Sequence, residues 1–134
     1  MQDKDDFAKL TATLAERRRY FTLDWFRDLL GARLSLGDTF WIGTYGTALI
    51  YVPGTVLLVL LARIALPPAA AAALTGLAFA LLAVYHAALG RAVWRTALPR
   101  PEVGGWRWAG LAIALISAAG FAFYAMRFLA EALG

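Results

Sequence analysis

The chain has no cysteine. Disulfides, thiolate nucleophiles and sulfur-ligated metals or clusters are therefore excluded, although compartment is not decided by this. There is one histidine, His86, so two axial imidazole ligands would require a second copy of the chain. Charge is also scarce. Only 16% of the 134 residues are charged, against about 25% in an average soluble domain. The first twenty residues are polar and lack an apolar stretch, so they do not read as a signal peptide. The first apolar run is then expected to serve as the targeting signal and to remain in the protein.

What fills the chain instead is apolar. Hydrophobic residues make up 61%, above the typical level of about 45–50%, and they are gathered into runs. Residues 39–62, 64–90 and 108–126 contain no charged side chain. A helix needs about 20 apolar residues to cross about 30 Å of hydrocarbon. Each run is long enough. The expectation is an all-α, polytopic membrane protein with spans at about 38–62, 68–90 and 107–127. Residues 37–134 form the three-helix transmembrane domain, and residues 1–36 an amphipathic cytoplasmic or interfacial helical segment.

The net charge of +4 does not indicate nucleic-acid binding, because the basic residues lie beside the spans. Positive charge there sets topology and meets anionic lipid headgroups. Seven Lys or Arg precede the first span and four (Arg91, Arg95, Arg100 and Arg107) flank the second loop, whereas Arg63 and Arg127 stand alone on the other side. The imbalance predicts a cytoplasmic N-terminus and an outside C-terminus.

The N-terminal segment has two parts. Residues 3–19 carry acids first and Arg17, Arg18 and Arg19 last, which suits a helix dipole, with Phe7, Leu10 and Leu14 at helical spacing. Over residues 20–34 one arc holds Phe21, Trp25, Phe26, Leu29, Leu30 and Leu34, opposite Asp24, Arg27 and Asp28. Such a helix either lies in the membrane interface or packs on the protein's own cytoplasmic end. The lipid or partner contacts expected are Arg17, Arg18, Arg19, Trp25, Trp94 and Trp106.

Pro53-Gly54 interrupts the first span and predicts a kink. Pro67 and Pro68 turn the chain tightly into the second span, so the first two spans form an antiparallel hairpin. Pro99, Pro101, Gly104 and Gly105 mark the second loop.

Asp38 stands just before an apolar run, in Ser35-Leu36-Gly37-Asp38. Serine followed three residues later by an acid is a capping box. The acid also faces the positive end of the helix dipole, so Ser35 and Asp38 read as a helix start rather than a proton carrier. His86 lies about five residues inside Arg91, roughly 7–8 Å deep at about 1.5 Å per residue. An intramembrane ionisable group is a functional candidate by default. The hairpin sets residues whose numbers sum to about 130 level with one another, which places His86 beside Thr44 and Tyr45. Hydrogen bonding to one of them would satisfy a neutral imidazole.

Small residues recur at four-residue spacing: Gly43 and Thr47; Ala72, Gly76 and Ala80; Gly110, Ala114 and Ala118. These permit close helix approach and predict packing or assembly in lipid. Phe121, Phe123, Tyr124 and Phe128 crowd the far end of the third span, as an interface belt or a docking patch.

Thr39-Phe40-Trp41-Ile42-Gly43, Val93-Trp94-Arg95-Thr96-Ala97 and Gly105-Trp106-Arg107-Trp108-Ala109 resemble stretches of small, uncharacterised bacterial inner-membrane proteins. In these the first span opens with Phe-Trp and a Trp-Arg pair closes a later span. The resemblance covers about residues 36–117. It implies a bacterial inner-membrane location and brings no activity.

The residues show no nucleophile–base pair, metal-ligand cluster or cofactor motif. The leading expectation is a non-catalytic accessory, assembly or regulatory subunit of a membrane complex, with membrane lipids and other subunits as partners, or further copies of itself. The alternative is a homo-oligomeric channel or transporter with His86 and Pro53-Gly54 near the pathway. An enzyme acting on lipid or quinone stands third, with Asp38, Glu102 and the arginines at the interface.

Overall fold

The computed structural model describes residues 9–15 and 18–134. Arg17 and the front of the amphipathic helix expected over residues 3–19 lie outside them. Residues 9–15 are helical, and Leu10 and Leu14 on this piece are exposed.

Helix α1, Leu23–Leu30, is short and amphipathic. Thr22 caps it, its hydroxyl accepting from the Trp25 N–H at 3.3 Å. Its far end closes with two crossed bonds, Arg33 N–H to Asp28 O at 2.9 Å and Ala32 N–H to Leu29 O at 3.2 Å. This is a Schellman motif, which needs a left-handed residue and usually takes glycine. Here Ala32 adopts it, with φ of 59°. Arg27–Asp24 at 2.8 Å and Arg33–Asp28 at 3.3 Å pair on the outer side. The inner face buries Trp25 and Leu29 against Leu89 and Val93 of the second span. Of the two placements open to this helix, the structure therefore shows packing on the protein's own bundle.

The first span is one continuous helix from Asp38 to Ala65. Its first nine residues, Asp38–Gly46, are π-helical, and α2, Thr47–Ala65, continues from them through Pro53. Helix α3 runs Pro68–Ala97 and helix α4 Trp106–Leu133. All three are long and apolar enough to cross a membrane, and no strand occurs among the described residues. The helices outrun the expected spans because the ends beyond about 20 residues overhang the hydrocarbon; α3 carries Arg91 and Arg95 on such an overhang. A single 3₁₀ turn, Pro101–Val103, bridges α3 and α4, followed by Gly104 at φ of 67°. That left-handed value suits glycine alone without strain.

Helices α3 and α4 make the principal pair. Their small residues are the reason. A Cβ at Gly76 would lie 2.7 Å from Leu129 Cγ and 3.1 Å from the Leu129 backbone nitrogen. Gly110 meets the Phe40 ring in the same way, at 2.9 Å, and Gly43 meets Leu89 and Leu29 at 2.8 and 3.0 Å. Ala72 and Ala114 are buried in the same stripes. The spacing expected to serve packing or assembly thus serves packing within the chain. Helix α2 is held much more loosely. Only Thr47 and Ala62 of it are buried, while Leu49, Ile50, Leu57, Leu60 and Leu61 are exposed.

Candidate functional site

The most polar part of the membrane-embedded region is a closed cluster where the first span meets α3. Tyr85 and His86 are consecutive and point to neighbouring faces of α3. The Tyr85 hydroxyl lies 2.6 Å from the Gly43 carbonyl and 3.2 Å from Thr47 Oγ1. Thr47 Oγ1 itself donates to Gly43 O at 2.6 Å. Two hydroxyls thus converge on one backbone oxygen of the π-helical segment. A π turn redirects carbonyls relative to an α-helix, and such turns are frequent at functional sites.

His86 is 1% exposed. Its Nδ1 lies 2.9 Å from the Leu82 carbonyl, and its Nε2 lies 3.3 Å from the Tyr51 hydroxyl. A carbonyl only accepts, so Nδ1 carries the proton and Nε2 of the neutral ring accepts from Tyr51. Tyr51 and Phe121 enclose the imidazole, with ring centroids 5.5 and 4.9 Å away. Both ring nitrogens are occupied by the fold itself. Among the described residues, no three His, Asp or Glu side chains stand together as a possible metal site.

The partner of His86 is therefore Tyr51, not Thr44 or Tyr45. Helical side chains lean toward their own N-terminus, over the preceding turn. His86 leans back to the level of Leu82, and Tyr51 leans back to the level of Thr47. In an antiparallel pair these leans converge, so the rings meet although their Cα atoms are not level. Tyr45 is exposed and packs on Trp41, with centroids 5.5 Å apart. Thr44 is buried, and its hydroxyl has no hydrogen-bond partner. Tyr85 stands level with Gly43 and Thr47 by the same register; only Tyr51 needs the lean to come into range of His86.

The remaining expected residues separate. Ser35 Oγ accepts from the Asp38 N–H at 3.0 Å, one arm of the capping box; the Asp38 carboxylate makes no return bond. Trp25, expected to meet lipid or a partner, is 5% exposed and belongs to the core. Trp94 and Trp106 are exposed, as are Arg18 and Arg19; Trp94 packs on Trp108 at 5.3 Å. At the far end of α4, Phe121, Tyr124 and Phe128 all pack on Phe79, while Phe123 is exposed and touches Tyr124. No protein-family profile, curated protein or solved structure matches this chain.

Proposed function

We propose that this chain is a non-catalytic integral membrane subunit that helps to assemble, stabilise or regulate a larger complex. We place it in a bacterial inner membrane from the resemblance of its Phe-Trp and Trp-Arg stretches, and orient it with a cytoplasmic N-terminus and the C-terminus outside from the clustering of Lys and Arg beside the spans. The observation that carries the functional reading is the outer face of α2. Ile50, Pro53, Gly54, Leu57 and Leu61 share it and are exposed. Pro53 has no N–H, so the Leu49 carbonyl loses its α-helical donor. Nothing lies within 4 Å of a Cβ built at Gly54. A bare glycine beside a carbonyl without its donor is a notch where another helix can approach and a polar group can donate.

Self-association into a channel or transporter would use the same notch. However, both ring nitrogens of His86 are taken up within the chain, by the Leu82 carbonyl and the Tyr51 hydroxyl. An imidazole that is 1% exposed and already satisfied is a poor lining for a pathway, which favours a partner subunit. The test is Gly54→Leu, which fills the notch. Recovery of a co-purifying subunit should fall several-fold while the helical content stays unchanged. Undiminished recovery would remove this face from the proposal.

A further inference from the structure

A second feature lies at the other side of the first span. Between the π-helical segment, the α3–α4 loop and the start of α4 runs a groove of about 430 Å³. That volume is within the usual range for ligand sites, about 300–1,000 Å³. Its walls are apolar, chiefly Phe40, Trp41, Tyr45 and Ile113, and Arg100 and Arg107 also line it. Neither arginine forms an ion pair among the described residues. The Arg107 Nε is buried without a hydrogen-bond partner, and its guanidinium sits over the Trp108 ring at 4.8 Å. Glu102, between the two in sequence, is exposed and pairs with neither.

We infer that this groove holds an anionic phospholipid, its acyl chain against Phe40, Trp41 and Ile113 and its phosphate on Arg100 and Arg107. Three points converge on that occupant. The groove opens where the spans emerge beside exposed Trp94 and Trp106, the residues that mark the headgroup level. Its apolar length and cationic end match an amphiphile with an anionic head. An unsatisfied buried guanidinium N–H is costly, and a phosphate oxygen supplies the acceptor, with Arg geometry suited to it.

The test uses the full chain in a neutral detergent, titrated with short-chain phosphatidylglycerol, with phosphatidylcholine of the same chain length, and with inorganic phosphate. Trp41 and Trp106 line the groove, so tryptophan emission reports occupancy. Both lipids carry the phosphate, but the choline cation of phosphatidylcholine is repelled by the two arginines, so phosphatidylglycerol should saturate roughly tenfold more tightly. The binding should weaken with added salt. Arg100→Gln with Arg107→Gln should abolish the preference, and Ala109→Phe, which fills the groove and keeps both charges, should lose the lipid as well. Equal affinity for the two lipids, or an unchanged preference in the double-Gln variant, would overturn the inference. Inorganic phosphate binding as tightly as the lipid would replace it with a free-anion site.

Discussion

The same substitution at two glycines should have opposite signs. Glycine in a helix interior costs about 1 kcal/mol relative to alanine, so replacing it is a gain wherever space allows. At Gly76 space does not allow it. The new Cβ would stand 2.7 Å from Leu129 Cγ, 2.9 Å from Leu129 Cδ2 and 3.1 Å from the Leu129 backbone nitrogen. The Leu129 side chain could rotate away, but the backbone nitrogen cannot, so α3 and α4 must move apart. Overpacking of this kind costs about 1–3 kcal/mol. Set against the propensity gain, Gly76→Ala should lose about 1 kcal/mol, because a clash that includes the rigid Leu129 backbone lies above the low end of the overpacking range. At Gly54 nothing lies within 4 Å, and Gly54→Ala in the purified chain should gain up to about 1 kcal/mol. Adding Leu129→Ala should rescue Gly76→Ala only in part, because the backbone contact persists. Reversible unfolding in mixed micelles, followed by circular dichroism, measures all four proteins. A Gly76→Ala chain as stable as wild type would refute the close α3–α4 approach. A destabilised Gly54→Ala chain would show that the notch is already filled in the purified state.

Ala32→Gly should stabilise α1 by about 1 kcal/mol, because the left-handed conformation at φ of 59° suits glycine; the same unfolding assay reads it. Trp25→Ala should cost about 3–5 kcal/mol as a core truncation and release α1, so trypsin should cleave after Arg27 and Arg33 many-fold faster. Cleavage at the wild-type rate would mean that α1 is not docked. Tyr85→Phe and Thr47→Val should each cost about 0.5–2 kcal/mol. The double variant should cost less than the sum, since both hydroxyls serve the Gly43 carbonyl; strict additivity would contradict that shared acceptor.

Much of the architecture was legible in the sequence, for a physical reason. Hydrocarbon excludes charge, so the uncharged runs at 39–62, 64–90 and 108–126 mark the spans directly. Pro67 and Pro68 fix the hairpin, and Ser35 fixes the start of the first span. The amphipathic pattern around Trp25 and Leu29 was equally visible, but a pattern cannot say which apolar surface covers it, lipid or the protein's own bundle. The π-helical form of Asp38–Gly46 has no local signature here. It depends on Gly43 admitting Leu29 and Leu89 and on Tyr85 reaching the Gly43 carbonyl, which are contacts between distant parts of the chain. The pairing of His86 with Tyr51 was hidden for a simpler reason, the lean of side chains along each helix.

The central claim is that α2 presents its outer face to a different protein. The most direct test is native purification from the source membrane in mild detergent, with the mass of the intact assembly determined. A stoichiometric foreign subunit, lost on Gly54→Leu, is the predicted result. An assembly composed only of copies of this chain would contradict it and make the homo-oligomeric channel or transporter the better description.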